Sequence, residues 1–155
     1  MAPITASTVV DRPPEVVFDH LDDLANHAAF IDHYLVDFRV TSERSKGVGA
    51  TARMRAKGPT RHPDIEITAV ESVRPERTVE QGRGGKGMRR RSTGTYRLAE
   101  APGGATHVTF ELEVEPAGLA DRLQWPITRA YLRRANQRAL ERLKEQLEAQ
   151  PAAVA

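Results

Sequence analysis

The sequence predicts an α+β fold: a curved antiparallel β-sheet wrapped around one long C-terminal α-helix, with two short helices after the first strand. Three observations predict it. The chain opens on a β-branched strand that halts at Pro13-Pro14, its middle alternates apolar and polar residues between Gly and Pro turns, and its last third changes to a three-to-four period. A sheet curled over a single helix does not meet it everywhere. This order of elements therefore predicts an interior hollow.

Ile4 to Val10 is the first strand, and the prolines after Asp11-Arg12 forbid further ladder pairing. Pro14 suits a first helical turn, and Val17, Phe18 and Leu21 then make an apolar stripe. Asp22 and Asp23 suit the cap of a second short helix carrying Leu24, Ala25, Ala28 and Phe30. Tyr34, Val36, Phe38 and Val40 then fall at period two, which marks a second strand.

Gly47 and Gly49 punctuate a hairpin, and in the next strand Ala50, Ala52, Met54 and Ala56 alternate with Thr51, Arg53 and Arg55. Small inward residues leave space inside. Gly58 to Pro63 reads as a loop, Ile65 to Val73 as a strand, and Thr78 to Gly82 as the next one. A flexible glycine-rich tip, Gly82 to Gly87, leads into a strand from Met88 to Ala99 that closes at Pro102-Gly103-Gly104. In the last strand Val108, Phe110, Leu112 and Val114 alternate with Thr109, Glu111, Glu113 and Glu115, giving one dry face and one wet face.

From about Leu119 the period is helical. Leu132, Ala135, Ala139, Leu140, Leu143 and Leu147 share one arc, and Arg134, Arg138, Glu141, Arg142 and Glu145 lie opposite. Pro126 predicts a kink or a fresh helix start at Trp125-Pro126, because an interior proline removes a helical hydrogen bond at a cost of about 3 kcal/mol. Residues 1–150 are expected to form one domain and 151–155 a disordered tail.

The 155 residues suffice for one core without staples, and the absence of cysteine excludes disulfides, thiolate nucleophiles and Cys-type zinc sites. No basic start leads into an apolar stretch and no run approaches the ~18 apolar residues of a membrane helix, so a cytoplasmic protein with no integral membrane association is expected. A net charge of +2 from nearly balanced acids and bases predicts no nucleic-acid partner. Arg89-Arg90-Arg91 does not alter that, since alternate side chains on a strand face opposite ways and no aromatic platform accompanies them.

Gly82-Arg83-Gly84-Gly85-Lys86-Gly87 looks like a phosphate loop only superficially: Glu80 stands in place of the leading Gly, Gly87 in place of Ser/Thr, and a strand follows. His20, His27 and His33 with Asp23 form no metal string, and no metal or other cofactor is expected. His33 or Asp32, at the entry to the second strand, would serve as a general base only if turned inward rather than toward solvent.

Several strings, in this order, resemble the START-like, or SRPBCC, superfamily, and in particular its polyketide cyclase/dehydrase and lipid-transport branch. They are Arg12-Pro13-Pro14-Glu15-Val16-Val17-Phe18, Asp23-Leu24-Ala25-Asn26-His27 with Phe30, and Gly47-Val48-Gly49-Ala50. Gly94-Thr95-Tyr96-Arg97-Leu98 and Gly103-Gly104-Ala105-Thr106-His107-Val108-Thr109-Phe110 complete the set. The resemblance spans nearly the whole chain and implies the helix-grip fold, with a cavity between sheet and long helix for a lipid, polyketide, quinone or similar apolar molecule. It carries over no catalytic residue.

Inward parity nominates Tyr34, Phe38, Met54, Ile67, Tyr96, Phe110 and Leu112 as ligand-lining residues, with Trp125 and Tyr131 from the helix; the other reading of each is plain core packing. Sharing the parity of Tyr96 and Leu98 places Gly94, Ser92 and Arg90 on the same side. Arg90 would then offer its fork to a carboxylate, an enolate or a lipid headgroup at the cavity mouth, or else reach solvent. The function expected is binding or transfer of a hydrophobic small molecule. A polyketide cyclase or aromatase acting in the same cavity is the alternative, and a partner-regulating module using the Arg-lined outer helix face is the third reading. A homodimer stays open.

Overall fold

In the computed structural model, which describes residues 2–57 and 63–151, seven strands form one antiparallel sheet. They are β1 (Ile4–Val10), β2 (Leu35–Val40), β3 (Thr51–Ala56), β4 (Asp64–Val73), β5 (Arg77–Gly84), β6 (Arg90–Ala101) and β7 (Ala105–Glu115). The spatial order is β1-β7-β6-β5-β4-β3-β2. Consecutive strands from β2 to β7 are neighbours, and β1 is carried across to pair with β7 by α1 (Pro14–Leu21), a 3₁₀ turn and α2 (Ala28–Ile31). The last helix, α3 (Leu119–Ala149), covers the curled sheet. No helix among the described residues is long and apolar enough to cross a membrane.

Local chemistry explains the element ends. Pro14 occupies the first turn of α1, where a missing N–H costs nothing, and Asp23 accepts from Ala25 N at 3.0 Å to start the 3₁₀ turn at Leu24. The expected second helix is thereby split into that turn and α2. Gly47 and Gly49 adopt φ values of +76° and +94°, which a side chain would resist, and so turn the chain into β3. β5 runs two residues past Gly82, and β6 starts at Arg90 rather than Met88. The loop expected at Gly58–Pro63 lies outside the described residues but for Pro63, and so does the tail beyond Pro151.

One local expectation is overturned, and of the two alternatives at Pro126 one is set aside. The plain alternation expected through Tyr34, Val36, Phe38 and Val40 is broken by a bulge: Asp37 has φ +55°, and the ladder to β3 shifts between Val36 and Arg39. Leu35 and Val40, an odd number of residues apart, therefore pair with the inward Ala56 and Ala52, while Val36 pairs with the outward Arg55. Nor does Pro126 restart the helix, because α3 runs through it. Pro126 and Arg122, whose carbonyl loses the bond, are both exposed, so the freed carbonyl is open to solvent and the loss is not a buried one.

The core gathers Val10, Val17, Leu21, Leu24 and Phe30 beneath Leu140, Leu143 and Leu147 of α3, all at most 1% exposed. This C-terminal half of α3 is also tied down by polar bonds. Arg12 Nη2 donates to the carbonyls of Glu148 and Gln150, Lys144 Nζ to Val9 O, and Gln146 Nε2 to Ala29 O. The N-terminal half buries less apolar surface and leaves Leu119, Leu123 and Ile127 exposed, while Asp121, Arg129 and Tyr131 tether it to Arg90, Ala2, Pro3 and Lys57. Packing is tight at one end and open at the other.

Candidate functional site

At the open end a cavity of about 260 Å³ lies between the inner face of the sheet and α3. Strand parity builds most of its wall. Leu35 comes from β2, Met54 and Ala56 from β3, Ile65 and Ile67 from β4, and Phe110, Leu112 and Val114 from β7. β6 contributes the complete alternate row Arg90, Ser92, Gly94 and Tyr96. Trp125, Tyr131, Leu132 and Asn136 close it from α3, with His27, Ile31 and Tyr34 at the buried end.

Two glycines keep the space open. Gly94 pairs with Glu80 and Leu112, and a Cβ on it would lie 3.0 Å and 3.1 Å from two carbons of the Phe110 ring. Gly82 pairs with Ser92, whose Oγ would lie 2.3 Å from such a Cβ. Both side chains instead occupy the space over bare backbone, and the Phe110 ring meets Tyr96 at 4.5 Å between ring centres, tilted by 33°.

Of the residues nominated from sequence, Tyr34, Met54, Ile67, Arg90, Ser92, Tyr96, Phe110, Leu112, Trp125 and Tyr131 line this cavity. Phe38 does not. Although packed on the core, it lies beside His27, 6.4 Å between ring centres. Arg90 is on the wall, but its fork is already engaged: Nη2 donates to Asp121 Oδ1 at 2.6 Å and Nε to Oδ2 at 3.1 Å. The anion expected to come from a ligand is supplied by the start of α3.

His33 and Asp32 do not line the cavity. The His33 Nε2 bonds Ala135 O at 2.9 Å, its Nδ1 accepts from Arg142 at 2.9 Å, and Asp32 pairs with the same Arg142 at 2.6 Å. They dock α2 on α3. His20 is partly buried, its Nε2 lacks a partner among the described residues, and burial, reinforced by any charge on His27, lowers its pKa.

Among the cavity residues that the sequence reading does not nominate are Asn136, Glu80 and His27. Asn136 is 1% exposed; its Oδ1 accepts from the Tyr34 hydroxyl at 3.1 Å, and its Nδ2 has no partner among the described residues. A signal existed, since 132, 136 and 140 share a helical arc. Burial, with the Glu80 charge adding to it, raises the Tyr34 and Tyr96 hydroxyls above the usual phenol range, so both are donors.

Glu80 shares the inward parity of Gly82, and the carboxylate's pKa is pushed up by burial, with His27 opposing. The His27 ring is 2% exposed, with Nε2 2.8 Å from Leu21 O and Nδ1 3.5 Å from Glu80 Oε1. Nothing local in the sequence signals that encounter. The arrangement is a largely apolar pocket that also carries an amide donor unpartnered among the described residues, the phenols of Tyr34, Tyr96 and Tyr131, the Glu80 carboxyl and the Arg90–Asp121 pair, which suits a largely apolar ligand that carries oxygen.

Comparison with known proteins agrees with this architecture. The family described as polyketide cyclase / dehydrase and lipid transport matches residues 1–148. Among solved structures, TTHA0849 from Thermus thermophilus is similar at 17% identity and a TM-score of 0.73, over 97% of this chain and 99% of that one. CV1439 from Chromobacterium violaceum is similar at 22% identity and a TM-score of 0.67, over 97% and 100%. DynU16, of the dynemicin biosynthetic locus, is similar at 15% identity and a TM-score of 0.66, over 96% of this chain and 48% of its own. These identities speak for the fold. No curated protein matches the chain.

Proposed function

The chain belongs to the polyketide cyclase / dehydrase and lipid transport family, and from that premise we propose that it binds or transfers a hydrophobic small molecule in the cavity between the sheet and α3. Lipids, polyketides and quinones are the classes considered. The observation that carries this reading is the pairing of an apolar wall with the unpartnered Asn136 Nδ2 at its buried end. A buried donor without an acceptor costs about 1–3 kcal/mol, and a ligand carbonyl would offset that cost on binding. A core built only for stability gains nothing from it.

Mass spectrometry of solvent extracts from the purified protein names the ligand class. In parallel, an environment-sensitive apolar dye is expected to bind at micromolar concentration and to be displaced by fatty acids, quinones or aromatic polyketides. Failure of the dye and of every competitor to bind would remove the reading. A polyketide cyclase-type activity in the same cavity is the second reading. Glu80 favours it, because it places an acid–base group on a largely apolar wall.

A further inference from the structure

The geometry points to Glu80 as a general base, positioned by His27, that removes and returns the α-proton of a ketone held in the cavity. We infer from this an enolising activity toward carbonyl ligands about the size of two fused rings. The inference rests on the reading of the cavity as a small-molecule site, and adds to it a reaction and a residue.

The proton inventory starts at His27. Leu21 O can only accept, so the imidazole Nε2 at 2.8 Å carries a hydrogen, and in the neutral ring Nδ1 presents its lone pair to Glu80 Oε1 at 3.5 Å. The ring is thus placed to take a proton from the Glu80 carboxyl, whose charged form burial disfavours. His27 lies at the buried end of the cavity against Phe30 and Tyr96 and is 2% exposed, so of the two groups Glu80 is the more open to a ligand. Glu80 is 12% exposed, and that opening is onto the cavity.

A carboxylate serving structure alone would be satisfied by several donors, whereas among the described residues the ionisable partner of Glu80 is His27. The other titratable groups near the pair are the Tyr34 and Tyr96 hydroxyls, His20 behind His27, and the Arg90–Asp121 pair farther along the wall.

The step balances without a co-reactant. Glu80 hands its proton to His27 Nδ1, and the carboxylate then takes the proton from the carbon next to the ligand carbonyl. The C–H electron pair becomes the C=C bond and the carbonyl π pair moves onto oxygen, where Asn136 Nδ2–H, oriented by Tyr34, donates to the enolate. Return of the proton from Glu80 to the same carbon restores the ketone. Where the Glu80 carboxyl trades that proton with solvent before the return, the carbon receives a deuteron in D₂O.

The test uses 2-tetralone in D₂O, with loss of its C1 proton signal followed by NMR and occupancy measured separately by calorimetric titration of each variant. Wild type is expected to exchange bound probe about 100-fold or more above the buffer blank, the lower range for general base catalysis. Glu80→Gln is expected to fall to the blank. Glu80→Asp, its carboxylate withdrawn by one methylene, is expected to lose about tenfold or more, and it decides the matter if Glu80→Gln does not fold. His27→Gln is expected to move the pH profile of exchange to higher pH, because Glu80 loses the acceptor for its own proton; a merely structural His27 would lower the rate without moving the profile.

Binding with exchange at the blank level, or equal exchange in wild type and Glu80→Gln, overturns the inference and leaves the binding reading standing. If neither 2-tetralone nor the apolar dye binds, the binding reading fails and this inference with it.

Discussion

Arg90 and Asp121 close a two-point ion pair across the cavity wall, tying the start of β6 to the first turn of α3. Asp121 Oδ2 also accepts from Ala117 N at 3.0 Å, so one carboxylate fastens the loop before α3 as well. The Arg90 hydrogen bonds hold the Asp121 carboxyl below the usual carboxylate range.

Because the two side chains are 38% and 25% exposed, screening limits their coupling to about 0.5–1.5 kcal/mol. A double-mutant cycle of Arg90→Ala and Asp121→Ala, read from denaturant midpoints, is expected to return that coupling. Arg90→Lys keeps the charge without the fork and is expected to recover only part. The depressed Asp121 pKa makes this stability present above the unfolded-state value and lost as pH falls through the folded one. Single variants with strictly additive effects would show that the pair couples nothing.

For Glu80 the sign is opposite. Burial raises its carboxyl pKa, so between the unfolded and folded values the native state holds a proton that the unfolded chain has released. Stability from this group is therefore greatest below the unfolded pKa and falls as pH rises through the raised one. Glu80→Gln removes the titration and keeps the shape. In thermal melts from pH 4 to 8, the melting temperature of Glu80→Gln relative to wild type is expected to climb with pH; a constant difference would mean that the carboxyl pKa is the same folded and unfolded.

Tyr34→Phe is expected to destabilise by about 1–3 kcal/mol, since Asn136 Oδ1 then loses its donor at a site 1% exposed. Adding Asn136→Leu removes both polar partners and is expected to recover most of that loss. The double variant is further expected to bind an apolar dye as before while losing preference for carbonyl-bearing competitors. Equal selectivity in wild type and double variant would take Asn136 out of ligand recognition.

Gly94→Ala is expected to push the Phe110 ring into the cavity, because the added methyl would meet two ring carbons at 3.0 Å and 3.1 Å. The expected outcome is a loss of about 1–3 kcal/mol in stability, the range for overpacking, with weaker dye binding. Gly103→Ala meets no atom within 4 Å and is the comparison for strain alone, since Gly103 has φ +76°. A dye affinity for Gly94→Ala equal to that of wild type would show that Phe110 yields without narrowing the site.

The sequence by itself determined the succession of elements and the facing of most residues, because periodicity is a local property. Pro13-Pro14 ended β1, and parity along β6 put Arg90, Ser92, Gly94 and Tyr96 on one side. Local rules failed where the backbone left its regular period. The bulge at Asp37 shifted β2 by one residue, and solvent around Arg122 let α3 continue through Pro126.

Which side chains meet was decided only by the tertiary structure. Glu80 meets His27 because β5 passes under the chain between α1 and α2, and Asn136 meets Tyr34 because α3 lies along that end of the sheet. The fork of Arg90 is filled by Asp121 for the same reason. Sheet order and the seating of one helix bring these pairs together across long stretches of chain. A sequence states the facing of each partner but not the identity of its neighbour, because facing follows from torsions within a segment and neighbours follow from how separate segments pack.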